Sequence, residues 1–240
     1  MNFGEKVLDL FYPPRCPVCH DILQPGRQFI CDSCVKHLPF VQGAVCIKCG
    51  KPVETDTEEL CFDCQKLEHE FTQGIGVFLY DDIMRKSLHY FKYQGRVEYG
   101  EFYARCMWKH AGRMIKIWKP EVIVPIPVHK TRYRERGYNQ AEIVADRFSK
   151  ISGIPMENGY IIRRERTKAQ KDLTPEERRE NLQKAFGSGK KAVDCGRILL
   201  IDDIYTTGST MDAVCKILKE GGAAEIYALS ICIGKGFMVQ

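Results

Sequence analysis

The stretch ILLIDDIYTTGST, residues Ile198 to Thr210, decides how this chain is read. Ile198, Leu199, Leu200 and Ile201 form an apolar, β-branched-rich run without polar alternation, the pattern of a central strand buried on both faces of a parallel sheet. The strand is expected to end at Asp202 and Asp203. Carboxylates at that carboxyl edge lie where open α/β sheets bind ligands; they can accept hydrogen bonds from two vicinal sugar hydroxyls or approach a hydrated magnesium ion. Beyond Ile204 and Tyr205, Thr206, Thr207, Gly208, Ser209 and Thr210 supply hydroxyl donors, and the glycine lets backbone amides curl around a monophosphate where the next helix begins. The stretch therefore predicts a sugar-phosphate site, with Asp202 and Asp203 as catalytic candidates and residues 206–210 as the phosphate loop.

An apolar strand with an acidic end also serves ATP hydrolysis in Walker B strands. That reading requires a Walker A loop. The nearest candidate, Gly187-Ser188-Gly189-Lys190, is followed by Lys191 where Ser or Thr is needed, and no glycine stands five positions before Gly189. The order of strand, acids, loop and helix resembles the ribose-5-phosphate-binding motif of type I phosphoribosyltransferases.

The N-terminal third carries a different signal. Cys16/Cys19, Cys31/Cys34, Cys46/Cys49 and Cys61/Cys64 are four Cys-x-x-Cys pairs, each starting 15 residues after the last. Each pair points two thiolates at one ion, and a closed structural zinc site takes four, so the eight cysteines predict two Zn2+ in a double zinc ribbon. Spacing leaves two pairings open: sequential, which is the simpler, and interleaved. A disulfide framework would require secretion, whereas MNFGEKVLDLFYPP mixes acids with apolar residues and lacks a basic n-region, which predicts a reducing cytoplasm. No uncharged run approaches the roughly 18 residues of a membrane span. With few large apolar side chains, such a module relies on zinc, each ion contributing on the order of 10 kcal/mol. Cys106, Cys195, Cys215 and Cys232 stand singly in apolar contexts and read as structural.

Charge divides the chain the same way. Residues 1–70 hold seven Lys+Arg against eleven Asp+Glu, and residues 71–240 hold 29 against 20, so the anion-binding half is C-terminal. The expected organisation is a helix and double zinc ribbon over 1–70, then an α/β domain over 71–240. Helices are predicted over Met1–Tyr12, Asp82–Tyr93, Glu98–Trp118, Gln140–Ile151 and Ser209–Glu220. Strands are predicted near Gly76–Tyr80, Val122–Ile126, Tyr160–Arg163, Ile198–Ile201 and Glu225–Cys232, with Gln65–Gln73 as a polar linker. Strands alternating with helices imply a parallel sheet flanked by helices.

Three further stretches bear on function. Lys130, Arg132, Arg134 and Arg136 follow the strand at Val122–Ile126 as a basic loop suited to pyrophosphate, because guanidinium pairs with phosphate oxygens in bidentate fashion; a solvated charge run is the bland alternative. Arg163 to Phe186, with Arg163, Arg164, Arg166, Lys168, Lys171, Arg178 and Arg179, has the length and polarity of a loop that closes over an anion, or of a plain connection. Lys86, Lys92 and Arg96 alternate with Tyr90, Phe91 and Tyr93, a surface that can stack single-stranded bases if the aromatics are not spent on helix packing.

Taken in order, LDLFYPPRCPVC, VPIPVHKTRYRERGYNQAEIVA, RTKAQKDLTPEERRENLQKAF and ILLIDDIYTTGST resemble the ComF/GntX family of phosphoribosyltransferase-like proteins over nearly the whole chain. The resemblance implies an N-terminal zinc ribbon, a type I phosphoribosyltransferase domain, handling of single-stranded DNA in natural transformation, and a helicase-like ATPase partner, ComFA. It also implies phosphoribosyl pyrophosphate with Mg2+ as ligand, the ribose on Asp202 and Asp203, the 5′-phosphate on Thr206 to Thr210, and pyrophosphate facing Lys130 to Arg136. Asn139 and Gln140 match the family signature without an assigned chemistry. Two roles follow: a binding module that keeps the pocket, or an active transferase whose acceptor the sequence does not name.

Overall fold

The computed structural model describes residues 13–24, 29–164 and 184–234. The helix expected over Met1–Tyr12 and most of the basic stretch after Arg164, including Arg166, Lys168, Lys171, Arg178 and Arg179, lie outside the described residues. Helices α1 (Asp32–Val35) and α2 (Phe62–Lys66) belong to the cysteine-rich segment. They are followed by β1 (Gln73–Leu79), α3 (Asp82–Tyr93), α4 (Tyr99–Trp118), β2 (Val122–Pro125), α5 (Lys130–Arg136), α6 (Gln140–Ser152), β3 (Ile161–Arg163), β4 (Phe186–Ser188), β5 (Arg197–Tyr205), α7 (Ser209–Glu220) and β6 (Glu225–Ile233).

Four strands form a parallel sheet in the order β1-β6-β5-β2. The apolar run of β5 is central, and Ile198 to Ile201 are fully buried. Alternation sorts its side chains: Ile198 and Leu200 join Ile226 and Ala228 on one face, while Leu199 and Ile201 join Leu229 and Ile231 on the other. The second face is covered by α3, α4 and α6 through Met84, Leu88, Phe91, Met107 and Phe148. On the first face lie α7, the β3–β4 hairpin and the second cysteine tetrad. Burying each such side chain contributes roughly 1.5–3 kcal/mol, so this two-sided core carries the fold.

Two expectations about strands are corrected. β5 does not stop at the acid pair but continues to Tyr205, because Asp202, Ile204 and Tyr205 remain paired with Ser230, Cys232 and Ile233 of β6. β3 does not join the parallel sheet; it pairs antiparallel with β4, which the sequence reading left out. The edge strand β1 is shielded by the segment between the ribbons: Phe40 bridges Phe78, and Val41 N donates to Val77 O at 3.0 Å.

Candidate functional site

The cysteines assemble into two tetrads, Cys16/Cys19/Cys31/Cys34 and Cys46/Cys49/Cys61/Cys64, with all four Sγ atoms of each within 4.8 Å of one another. The grouping is sequential. In both, the first pair sits on a turn and the second opens a short helix, with Cys31 and Cys61 as N-caps of α1 and α2. Four thiols this close fit a structural Zn2+: without a cation they compete for protons, and Cys46 is pushed far below the ordinary thiol value by hydrogen bonds with Cys49, Cys61 and Cys64. When bound, zinc would hold each pair of half-sites together.

The tetrads dock differently. At the first, the His20 ring stacks on Tyr90 with centroids 4.1 Å apart, and its Nδ1 lies 2.6 Å from the Tyr99 hydroxyl. At the second, the Gly50 turn (φ +80°) meets the start of β1, where an added Cβ would stand 2.7 Å from Gly74 O. Gly74 N donates to Lys48 O at 2.8 Å. Buried Lys51 pairs with Asp63, between Cys61 and Cys64, and its Nζ lies 5.6 Å from the centre of the Tyr205 ring.

At the carboxyl edge of β5, Asp203 forms an ion pair of 2.8 Å with Lys92 of α3, both side chains mostly shielded from solvent. The Asp203 amide donates to Asp202 Oδ1 at 2.8 Å. Burial, reinforced by the negative charge of Asp203, raises Asp202 to about 7, against the pull of that amide and of Lys92 and Arg163. Arg163, at the end of β3, is itself lowered by burial and by nearby Arg132, with Asp202 opposing. Two carboxylates and the cations Lys92, Arg163 and Arg132 therefore share one electrostatic neighbourhood.

The loop follows directly. Gly208 adopts φ +81° as N-cap of α7, and an added Cβ would stand 2.7 Å from His69 Cε1 and 2.8 Å from the Tyr205 hydroxyl, so both conformation and space require glycine. Thr206 and Thr207 are exposed, Ser209 and Thr210 half-buried, and the Thr207 and Ser209 hydroxyls lie 3.0 Å apart. The first amides of α7 open at this turn with no side-chain cap hydrogen bond.

The basic stretch after β2 is a helix and not a loop. His129 caps its start by accepting from Thr131 N, and Gly137 ends it at φ +82°. With 3.6 residues per turn, Arg132 and Arg136 share one side and Lys130 and Arg134 the opposite one, so the four cations do not converge. Arg136 stacks over Tyr93 at 4.7 Å and donates to Tyr93 Oη at 3.0 Å and to Gln140 Oε1 at 2.7 Å. Asn139 accepts from Ala141 N and donates to Ile126 O, pinning α6 to the end of β2.

Two site features escaped the sequence reading, and the alternative of helix packing holds for most of the aromatics on α3. Lys92, read as part of a nucleic-acid face, belongs to the acid pair. Of the aromatics on α3, Phe91 is fully buried and Tyr90 lies under His20, leaving Tyr93 at 59 % exposure. His69, in the expected linker, is buried beneath the loop; its side-chain hydrogen-bond partners lie more than a hundred residues away, and no local pattern marks it.

A parallel sheet with acids and a glycine turn at the carboxyl edge of one strand defines a class, and residues 112–235 match the phosphoribosyl transferase domain: the chain belongs to this family. Residues 7–65 match the double zinc ribbon domain. Among curated proteins, the chain is similar to Competence protein F of Haemophilus influenzae, 29 % identical over 90 % of this chain and 95 % of that one. It is equally similar to Competence protein ComFC of Bacillus subtilis, 29 % identical over 88 % and 86 %. DNA utilization protein YhgH of Escherichia coli K12 is 26 % identical over 93 % and 98 %. These are relatives of the kind that the ComF/GntX resemblance implies. No helix among the described residues is long and apolar enough to cross a membrane.

Proposed function

We propose that this protein holds a phosphorylated ribose, best matched by phosphoribosyl pyrophosphate, at the carboxyl edge of β5, and that it handles single-stranded DNA in the cytoplasm during competence. The observation that carries the pocket is the joining of Asp202, Asp203, Lys92 and Arg163 with the Gly208 turn at one strand end. Asp202 and Asp203 take the ribose hydroxyls; the amides and hydroxyls of Thr206 to Thr210 take the 5′-phosphate; Arg132 and Arg163 meet the pyrophosphate. Mg2+ suits the oxygen donors of the acid pair and the ligand, where it would neutralise phosphate charge. Of the other cations of α5, Arg136 shares the side of Arg132, while Lys130 and Arg134 lie on the opposite side.

The DNA role rests on the names of the relatives and on one surface. Lys86, His89 and Tyr93 line the exposed side of α3, and Arg136 and Arg132 continue it on α5. Tyr93 offers a stacking face and the cations a path for phosphates. A helicase-like ATPase, ComFA in the relatives' family, would supply the motor. Turnover as a transferase is the second reading, favoured by the intact acid pair in a family of transferases: the basic groups stabilise departing pyrophosphate while Asp202 and Asp203 hold the ribose.

Titration calorimetry with phosphoribosyl pyrophosphate and Mg2+ tests the pocket. Binding is expected in the wild type and lost in the Asp202→Ala/Asp203→Ala variant; a wild type that does not bind refutes the pocket. For DNA, reversing Arg132 and Arg136 to Glu should flatten the dependence of log affinity on log salt by about two charges, and an unchanged slope removes this face. Pyrophosphate release above the double-alanine control decides for the transferase.

A further inference from the structure

The His69 imidazole occupies a position that neither the zinc site nor the sugar-phosphate pocket explains. It lies five residues after Cys64, its side chain is fully buried, and its Nδ1–H donates to Asp212 Oδ2 at 2.9 Å. The next residue completes the grip: Glu70 N donates to the other carboxylate oxygen of Asp212, also at 2.9 Å. Asp212 is in the first turn of α7, and its own amide bonds to Gly208 O at 2.8 Å. The remaining faces of the ring are filled as well. Phe71 stacks on it with centroids 4.9 Å apart, the Tyr205 hydroxyl reaches Nε2 at 3.4 Å, and Gly208 rests against Cε1.

We propose that His69 is the positioning residue of the phosphate loop, and that through it the second cysteine tetrad sets the backbone conformation of residues 206–212. This rests on the reading of that loop as a phosphate site. The path is continuous. Lys51, paired with Asp63 between two of the cysteines, lies against the Tyr205 ring; Lys48 donates to Phe71 O; Phe71 and Tyr205 enclose His69. An apolar side chain would fill this space without the cost of burying polar nitrogens. A histidine that donates to the helix behind the loop fixes the rotation of the first turn of α7, which filling alone does not. A loop held in its binding conformation spends less on ordering when the phosphate arrives.

The experiment uses the full-length, zinc-loaded chain, with hydrogen exchange over residues 206–213 and calorimetry with ribose 5-phosphate. In His69→Ala, exchange across 206–213 should accelerate by about tenfold or more while β6 keeps its protection, and ribose 5-phosphate should bind about tenfold more weakly. His69→Phe, which preserves volume and folding but donates nothing, should show the same loosening. His69→Asn, whose side-chain N–H can stand in for Nδ1–H, should restore most of the protection. Wild-type exchange over 206–213 in both His69→Ala and His69→Phe overturns the proposal, as does an Asn variant no better than Phe. A wild type that binds no ribose 5-phosphate refutes the sugar-phosphate reading instead, and the exchange comparison still decides the role of His69.

Discussion

Cys46, Cys49 and Cys61 are buried in the core shared with α7 and β5, whereas in the first tetrad only Cys16 is buried and the contacts run outward to Tyr90 and Tyr99. The two tetrads have the same ligand spacing and the same turn-then-helix architecture. Their context therefore differs where their chemistry does not. The first is an appended ribbon held at an aromatic seam beside α3 and α4; the second is a structural member of the sheet's own core, with Gly50 against the backbone of β1 and Lys51 against Tyr205. A repeated motif can thus serve as accessory in one copy and as foundation in the other.

The sharpest way to break this contrast is to remove one zinc site at a time. Cys46→Ser/Cys49→Ser should abolish cooperative folding of the whole chain, since a structural zinc contributes on the order of 10 kcal/mol and this one adjoins the main core. Cys16→Ser/Cys19→Ser should leave a cooperative melt of the sheet at a lower midpoint, with one zinc per chain. Calorimetric melts with zinc quantification check both. Equal losses in the two variants would erase the distinction.

A smaller effect separates fold from function on the side of the second tetrad. With its folded value near 7 against an ordinary 3.8, Asp202 keeps a proton that the unfolded chain releases, so its contribution to stability is present at low pH and is lost as pH rises from about 4 to 7. Asp202→Asn should therefore raise the melting temperature by several degrees at pH 8, with the gain vanishing below pH 4, while sugar-phosphate binding disappears. A variant destabilised at pH 8 would assign Asp202 to the fold. Smallest is Tyr99→Phe, which removes the hydroxyl partner of His20. It should cost about 1 kcal/mol and speed hydrogen exchange over residues 13–24, leaving 206–213 unchanged; a change in the loop would show that the first tetrad reaches it too.

Much of the architecture was legible because its signals are local. The apolar run at Ile198–Ile201, the helix over Asp82–Tyr93 that Asp81 caps, and the helix opening at Ser209 each carry their periodicity and stop residues within a dozen positions. The acid pair and the glycine turn were legible for the same reason. The misreadings have physical causes. The basic stretch at 130–136 reads as a loop by charge, yet its Arg and Glu residues are good helix formers between the His129 cap and Gly137. β3 was assigned to the main sheet because its partner, β4, is a three-residue strand across a long insertion. Lys92 alternates with aromatics in sequence, but helical geometry turns it toward Asp203. His69 has no neighbour in sequence that announces it.

The place of β6 has a consequence for biosynthesis. It sits between β1 and β5, although it follows both in the chain. While the polypeptide leaves the ribosome, the ribbons can collect metal early, but β1 must wait with one flank unpaired until the segment from Glu225 emerges. Phe40 and Val41, which pair with Phe78 and Val77, can cover the other flank meanwhile, and a nascent chain arrested before Glu225 would expose the open edge to chaperones.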